Sequence, residues 1–352
     1  MKKLLQLLSV TGLGLLAGQV HAQTAAPYKV LDTTQVMGNG GIDYVTVDND
    51  GRRVYVPRGS TYVFDVDSHK YIGAVTNVTG HGIAIDTASH HGFCSGNQIG
   101  MFDTVTLEKI KDIPVQSRAD GILFEPFSDR VYIFSHGSPS ITVIDPKDGS
   151  IAGTVDVGGA MEQAQSDGAG KLYVDVEDQK KIAVVDVKTL KVLNRYDLGD
   201  TAGEPGGLGL DAKNHLLFAM CANPNVCVVV NADDGKVLAT LPIGNGTDGG
   251  GFNPNTMEAF SSQRDGTLTI IKESSPTSFA VEQTVQTKPG CKTCALDTKN
   301  NVIVLICTER APQAAPAAAT ATPPPAADAQ GGQRRGGRGG GPGNLDVVFV
   351  GR

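Results

Sequence analysis

Ionisable side chains recur at one position of a block of about forty residues that repeats along the chain. When the copies are aligned on the turn residue five positions later, five of them carry such a residue: Asp43, His81, Asp120, Asp248 and Lys292. Carboxylates and a histidine that face one space suit a divalent cation or an acid–base pair, and His81 would titrate near neutral pH. A divalent metal ion is therefore the candidate cofactor, with this set of candidate ligands: Asp43, His81, Asp120 and Asp248.

The other two copies have an uncharged residue at this position and an acidic residue close by. Glu162 follows Met161, and Glu204 lies shortly before Gly206. The ends of the second strands should reach the same face of the molecule, and they add four candidates: Arg58, His136, Glu177 and Arg264. We predict that all these residues surround a ligand-binding mouth. The alternative is that opposite charges neutralise one another around a water-filled channel.

The repeat itself predicts the fold. A marker aspartate steps from position 65 to 103, 145 and 186, that is by 38, 42 and 41 residues. Around it, segments rich in Val, Ile, Tyr and Phe alternate with Asp-Gly and Asn-containing turns, which is typical of short strands joined by tight hairpins. Self-similarity at this period is typical of solenoids and propellers. We predict an all-β, seven-bladed β-propeller with four strands in each blade.

The two ends of the chain complement each other. The seventh block stops at Arg352 without a fourth strand, whereas the segment from Lys29 to Asn39 resembles the fourth strand of the fifth block, Lys236 to Asn245. An N-terminal strand that completes the last blade would close the ring and leave no open seam between the first and last blades. An open sandwich with coincidental spacing is the alternative architecture.

The N-terminus predicts export. Lys2 and Lys3 precede an apolar run from Leu4 to Leu16, and Ala22 offers a small-residue cleavage site. The run is too short to span a bilayer and has the flanks of a cleaved secretory signal. We expect residues 1–22 to be a signal peptide and residues 23–352 a single propeller domain. The mature protein should be in a periplasm or outside the cell, with no membrane span.

The charge of the chain bears on its partners. The formal net charge is −7, and it becomes −9 once Lys2 and Lys3 are removed. Binding to nucleic acid relies on clustered Lys and Arg, so this composition argues against a nucleic-acid partner. The absence of Trp excludes the Trp-Asp signature of the intracellular propeller repeat. We expect a monomer that binds a small molecule or a protein at its central face.

Six cysteines in an exported chain imply disulfides. Cys221 and Cys227 flank a four-residue turn and should lie on adjacent strands of one hairpin, so they form the first candidate pair. In the seventh block, Cys291 could pair with Cys294 or with Cys307. No His follows Cys294, so covalent haem attachment is not indicated, and a structural role for these thiols is favoured over a redox role.

Residues 311–344 interrupt the seventh block between its second and third strands. The first half is rich in Ala and Pro, and the second half is rich in Gly and contains Arg334, Arg335 and Arg338. Neither half has enough apolar residues to pack, so we predict a disordered insert. Arginines in such a segment can contact RNA, acidic polymers or anionic lipids; a solvated loop of biased composition is the simpler alternative.

The blocks resemble the exported YVTN-type β-propeller repeat family across nearly the whole mature chain. The matching features are the Asp-x-x-Gly-x-x-Val-Tyr-Val core of residues 48–56 and the Val-Ile-Asp-Pro-x-x-Gly turn of residues 143–149. The four-residue motif that names the family is not kept literally, and reads Tyr-Val-Pro-Arg at residues 55–58. The resemblance implies an architecture and an exported location rather than a reaction. Related propellers include lactonases and lyases that work at the central face, which implies an enzymatic alternative.

These observations lead to two main hypotheses about function. Because the candidate mouth has no recognisable nucleophile and no complete metal motif, the first is a binding or interaction module for a small ligand or a protein. The second is a metal-assisted lyase or lactonase at the same face. A redox or metal-handling role around Cys291 and Cys294 is a third.

Overall fold

A computed structural model describes residues 26–116, 118–310 and 343–352. These residues form seven antiparallel sheets of four strands each, arranged as the blades of a ring. The predicted all-β, seven-bladed propeller is confirmed. The predicted signal peptide and nearly all of the predicted insert lie outside the described residues. Within the described ranges, no helix has the length and apolar character needed to cross a membrane.

The first strand, β1 (Lys29–Gly38), belongs to the last blade, and the chain then builds the blades in order. Blade 1 consists of β2 (Thr46–Asp48), β3 (Arg53–Arg58), β4 (Ser60–Asp65) and β5 (Tyr71–Val75). Blade 2 consists of β6 (Ile83–Asp86), β7 (His91–Cys94), β8 (Ile99–Asp103) and β9 (Lys109–Ile113). Blade 3 consists of β10 (Ala119–Glu125), β11 (Arg130–Ser135), β12 (Ile141–Ile144) and β13 (Ile151–Val155).

The second half of the ring follows the same plan. Blade 4 consists of β14 (Met161–Ser166), β15 (Lys171–Val176), β16 (Lys181–Asp186) and β17 (Lys191–Asp197), with a short 3-10 helix (Glu177–Gln179) after β15. Blade 5 consists of β18 (Glu204–Asp211), β19 (Leu216–Ala222), β20 (Val226–Asn231) and β21 (Val237–Pro242). Blade 6 consists of β22 (Thr247–Asn253), β23 (Glu258–Gln263), β24 (Thr267–Ser275) and β25 (Ser278–Gln286). Blade 7 consists of β26 (Thr293–Asp297), β27 (Val302–Arg310), β28 (Gly343–Gly351) and β1.

The aspartates that repeat along the sequence hold the turns. Asp48 Oδ1 accepts hydrogen bonds from the backbone N–H groups of Asp50 and Gly51, at 3.2 and 2.9 Å. The marker Asp186 does the same after the third strand of blade 4, where its Oδ1 accepts from the backbone N–H groups of Lys188 at 3.0 Å and Thr189 at 2.7 Å. A short acceptor side chain that bonds the backbone two and three residues ahead stabilises such turns. The repeated aspartates thus stabilise the turns of the fold. They are different residues from those that place charged side chains in the channel.

Apolar side chains fill the space between blades. The buried residues form seven clusters, one at each interface between neighbouring blades. On β3, Val54 and Val56 contribute to the interface with blade 7, while Tyr55 between them contributes to the interface with blade 2. Because side chains alternate across a strand, a strand that is buried on both faces reads as a continuous apolar run, as these strands do. The packed interfaces fix the blades, and the blades fix the channel that they surround.

The ring is closed by its two ends. β1 pairs antiparallel with β28, from Lys29 opposite Gly351 to Gly38 opposite Gly343. The predicted closure by an N-terminal strand is therefore confirmed. The structure differs from the prediction at the end of the insert, where Gly343 and Asn344 were assigned to disordered sequence. Both are strand residues, because β28 pairs with β1 on one side and β27 on the other over this stretch.

The predicted disulfide between Cys221 and Cys227 is wrong. The register places Cys221 opposite Val226 and Cys227 opposite Met220. One residue of offset puts the two thiols on opposite faces of the sheet, so that Cys221 packs against blade 4 and Cys227 against blade 6. All six cysteines are free and buried.

The three cysteines of blade 7 lie in one apolar cluster, between blades 6 and 7. Neither pairing predicted for them, Cys291 with Cys294 or Cys291 with Cys307, is formed as a disulfide. The side chains of Cys291 and Cys307 do interact, and this interaction together with burial raises the pKa of Cys291. Cys291 therefore acts as an apolar core group, since a buried thiol with a raised pKa is a poor nucleophile.

Candidate functional site

Charged side chains from six blades meet at one end of the central channel. Three precede the innermost strand of a blade, three are the second residue of such a strand, and two follow the second strands β11 and β23. We call these eight residues the mouth cluster: Asp43, His81, Asp120, His136, Glu162, Asp248, Arg264 and Lys292. Its position follows from the fold, since every innermost strand begins at the same face of the ring.

One half of the mouth cluster is built around Lys292. Its Nζ lies 2.5 Å from Asp43 Oδ1 and 2.5 Å from Asp248 Oδ2. Arg264 Nη2 lies 2.8 Å from the same Asp248 oxygen. Burial opposes the charge of Lys292, but the two carboxylates outweigh it and raise the pKa of Lys292. Asp248 is thus committed to two cations, and the prediction that it ligates a metal has no support from these contacts.

The other half is built around two histidines. His81 Nδ1 lies 2.7 Å from Asp43 Oδ2 and 3.5 Å from Asp120 Oδ1. His136 Nε2 lies 3.3 Å from Asp120 Oδ2 and 3.0 Å from Glu162 Oε1. The carboxylate of Asp120 therefore lies between the two imidazoles. Side chains from blades 1 to 4 form one connected chain of contacts.

The carboxylates of this half differ in protonation. Burial raises the pKa of Asp120 to about 7, and the charges of Asp43 and Glu162 add to the effect. Asp43 is half-buried, and the hydrogen bond with His81 and the charge of Lys292 outweigh the effect of this burial and lower its pKa. Two carboxylates at one site with opposite shifts are typical of functional sites.

Both imidazoles favour their protonated form. The hydrogen bond with Asp43 raises the pKa of His81 against the effect of burial. The interaction with Glu162 does the same for His136. The mouth cluster can therefore hold protons at neutral pH and can present either charged donors or, once the protons are displaced, imidazole nitrogen lone pairs.

A cavity of about 1000 Å³ occupies the channel beneath the mouth cluster. Tyr44 and Glu162 line its upper end, where Tyr44 O–H donates a hydrogen bond of 2.8 Å to Glu162 Oε2. Further along the channel the lining includes half-buried apolar residues from different blades: Val47, Ile85, Phe124 and Leu296. Gln163 and Gln165 lie among them, so the site joins a charged entrance to a channel with an apolar portion.

Three predicted site residues lie elsewhere or at the margin. Arg58 is fully buried and donates to the carbonyl oxygen of Gly40 at 3.2 Å, so it supports the packing of blade 1 rather than facing the mouth. Glu177 begins the 3-10 helix of blade 4 and Glu204 begins β18 of blade 5, and both are half-buried. The other eight predicted residues are the mouth cluster.

Two residues near the site were not predicted. Tyr44 was missed because only the position of its neighbour Asp43 was compared between blocks. Asp175, on β15, is completely buried and neither carboxylate oxygen has a hydrogen-bond partner among the described residues. Burial, followed by the charge of Glu162, raises its pKa well above the usual range. An aspartate where the other second strands have an uncharged residue is the signal that could have identified it; the equivalent residues include Pro57, Phe134, Met220, Ser262 and Ile306.

Known proteins resemble this chain in fold, and the resemblance gives no information about the chemistry of the site. No family model and no curated protein matches the sequence. Among solved structures, a chain in a crystal structure of the mitotic checkpoint complex is similar, with a TM-score of 0.66 and 12% sequence identity. The match covers 85% of this chain and 95% of that one. This likeness shows the fold alone.

Proposed function

We propose that this protein is an exported binding module that holds a small amphiphilic carboxylate, with the head in the mouth cluster and the apolar part in the channel. The observation that carries the proposal is the direct joining of the mouth cluster, at Tyr44 and Glu162, to a cavity whose lining includes apolar side chains from several blades. Pockets of this kind, concave and apolar with a few convergent polar groups, are the usual sites of small-molecule binding.

The exposure of the charged groups supports an anionic head. The side chains of Arg264 and His81 are 57% and 46% exposed. The most exposed acid of the mouth cluster, Asp248, is 31% exposed. A ligand that arrives from solvent therefore meets the hydrogen-bond donors of Arg264 and His81 first. A carboxylate is a headgroup that can accept from both donors.

Export and membership of the YVTN-type family are parts of the same proposal. They are supported by the charged and apolar pattern of residues 1–22 and by the Val-Tyr-Val and Val-Ile-Asp-Pro segments of the repeat. A mature N-terminus at Gln23 in the protein recovered from a periplasmic or culture fraction would support export. The full-length N-terminus in a cytosolic fraction alone would count against it.

Binding of octanoate to the full mature chain tests the ligand class, with octylamine as a probe of equal length and opposite charge. We expect octanoate to raise the midpoint of thermal unfolding and octylamine to leave it unchanged, because ligands stabilise the state that they bind. Arg264→Gln should weaken octanoate binding by about tenfold, the value of one lost charge-assisted hydrogen bond. Val47→Phe should also weaken binding, because it fills the channel.

Val237→Phe is the matched control, since Val237 is an exposed residue of an outer strand. It should leave octanoate binding intact. The ligand proposal fails if octanoate and octylamine bind alike, or if Val237→Phe weakens binding as much as Val47→Phe does.

A second function, a lyase or lactonase at the same face, is favoured by the contact of 2.7 Å between His81 Nδ1 and Asp43 Oδ2. A carboxylate that orients an imidazole in this way is what a general base requires. Turnover on a panel of lactones that is lost in His81→Ala would favour this function over binding alone.

A protein is the other occupant that the fold allows, as the similar propeller is part of a protein complex.

A further inference from the structure

We propose that the mouth cluster is a two-metal site in which Asp120 bridges two divalent ions of the zinc type. The first ion is held by Asp43, His81 and Asp120. The second is held by Asp120, His136 and Glu162. The potential ligand atoms within each set lie within 4.8 Å of one another. The site is a property of these side chains alone, and it stands or falls separately from the amphiphilic carboxylate.

The carboxylate of Asp120 directs its two oxygens at different imidazoles. Oδ1 lies 3.5 Å from His81 Nδ1 and Oδ2 lies 3.3 Å from His136 Nε2. Asp120 Oδ1 and His136 Nε2 are both buried and lack a well-aligned hydrogen bond within the described part of the chain, although Nε2 lies 3.0 Å from Glu162 Oε1 as an ion pair. Buried polar atoms are normally well paired, so these two atoms mark the space that an ion would fill. Two ions bridged in this way lie about 3.5–4 Å apart in known sites.

Outer contacts orient the two terminal carboxylates. Lys292 Nζ binds Asp43 Oδ1 at 2.5 Å, which leaves Oδ2 facing His81. Tyr44 O–H binds Glu162 Oε2 at 2.8 Å, which leaves Oε1 facing His136. In metal sites, a neighbouring group often hydrogen-bonds to one oxygen of a ligating carboxylate and leaves the other oxygen free for the ion. Such contacts fix the orientation of the carboxylate. The same arrangement occurs at both ends of the cluster, although the two ends come from different blades.

The donor set selects the kind of ion. Each ion has one imidazole nitrogen and carboxylate oxygens from two residues, and three protein ligands leave positions open for water or a ligand. Calcium and magnesium prefer oxygen donors alone. Imidazole combined with carboxylate suits zinc and manganese, so these are the ions that the site should take.

Arg118 makes the two halves unequal. Its Nη2 lies 3.4 Å from His136 Nδ1, so a guanidinium charge stands directly beside an imidazole of the second set. That charge opposes a cation on His136 Nε2, whereas Lys292 contacts the first set at the carboxylate of Asp43. The set of Asp43, His81 and Asp120 therefore fills first.

Zinc titration of the full mature chain, stripped of metal by a chelator, tests the proposal. We expect two ions per chain by elemental analysis, bound in two steps in calorimetry. Manganese in place of zinc should give the electron paramagnetic resonance spectrum of a spin-coupled pair. His136→Ala should retain one ion, and Asp120→Asn should abolish the coupling and weaken the ion that remains by at least about tenfold.

His215→Ala is the control, because His215 Nδ1 lies 2.9 Å from Asp233 Oδ1 in an exposed His–Asp pair outside the mouth cluster. It should keep both ions. Lys292→Met retains every ligand and should weaken the first ion about tenfold, which keeps the proposal testable if a ligand variant does not fold. Fewer than two ions in the folded parent chain, two uncoupled ions, or coupling that survives Asp120→Asn would overturn the bridged site. None of these results depends on octanoate binding.

Discussion

Carboxyl groups in this molecule differ in pKa because they differ in burial and in the charges around them. In the mouth cluster, His81 and Lys292 keep Asp43 charged, whereas at Asp120 burial and the neighbouring carboxylates outweigh the two histidines and raise the pKa. A similar case occurs away from the channel, at Glu273. It lies beside Asp211, and Asn214 Nδ2 donates a hydrogen bond of 2.7 Å to Glu273 Oε1. Burial, and then the proximity of Asp211, raises the pKa of Glu273 to about 7.

Glu273 should make the stability of the protein depend on pH. Its pKa is about 7 in the folded chain and 4.5 in the reference state, so the folded state binds the extra proton between these values. The stabilisation is fully present below pH 4.5 and is lost as the pH rises through about 7. Glu273→Gln should remove this contribution, whose slope is at most about 1.4 kcal/mol per pH unit, the value for one proton. Urea unfolding at a series of pH values measures it.

Glu108→Gln is the control for this titration, since Glu108 is exposed. It should leave the pH profile of the parent chain unchanged between pH 4.5 and 7.5. A parent chain whose stability is flat over this interval, or a Glu273→Gln profile that keeps the parent slope, would show that Glu273 does not titrate as described.

At the residue scale, the sequence predicted which positions reach the mouth but not all of the contacts made there. The aligned position identified Asp43, His81 and Lys292 because strand starts are equivalent in every blade. It could not identify the burial of Asp175, since that depends on how blade 4 packs against its neighbours. Nor could it show that His136, from a second strand, reaches between Asp120 and Glu162.

Turns and strand register control the blades at the scale of the element. The marker aspartates of the repeat predict the propeller fold. In the structure, the side chain of Asp186 accepts hydrogen bonds from backbone N–H groups in its turn. Register was harder to predict, as Cys221 and Cys227 show. The hairpin was correctly placed, but an offset of one residue decided that the thiols face different blades.

Asp186→Ala should lower the free energy of unfolding by about 1–2 kcal/mol, because the aspartate accepts two backbone N–H groups and the hydroxyl of Thr189. The mouth cluster lies elsewhere in the ring, so metal and octanoate binding should be unchanged. Denaturant unfolding by circular dichroism gives the stability.

The control is Asp200→Ala, which alters an exposed aspartate and should change the unfolding free energy by less than about 0.5 kcal/mol. Equal losses in the two variants would mean that the side-chain bonds of Asp186 do not stabilise the turn.

The order of the blades around the whole ring explains the alternation of charge in the mouth cluster. Blades 6, 7, 1, 2 and 3 present Asp248, Lys292, Asp43, His81 and Asp120 in turn, and each contacts the next. Chain order and ring closure together are enough to predict this sequence of contacts. The fold could be predicted for the same reason, because one block repeated seven times leaves few ways to bury its apolar strands.

Removal of residues 26–38 should open the ring. Without β1, β28 becomes a free edge of blade 7, and exposed edges invite pairing with other chains. We expect the midpoint of thermal unfolding to fall by more than about 5 °C and the chain to form oligomers in light scattering.

A peptide of residues 26–39 added in trans is the control for the deletion. It should restore both properties by adding the missing strand to the free edge. A truncated chain that stays monomeric and as stable as the parent would show that closure contributes little.

Ring closure also determines the order in which the blades can form during synthesis. Lys29 pairs with Gly351, so among the described strands β1 is made first and finds its partner last. Blades 1 to 6 can each form as soon as their own residues have emerged, because their strands are consecutive in the chain. β1 must wait until the residues of β28 have been made, and until then the nascent chain carries one unpaired strand before blade 1 and an unfinished sheet in blade 7. The final step of folding is therefore a long-range closure, of the kind that is slow and exposed to mispairing.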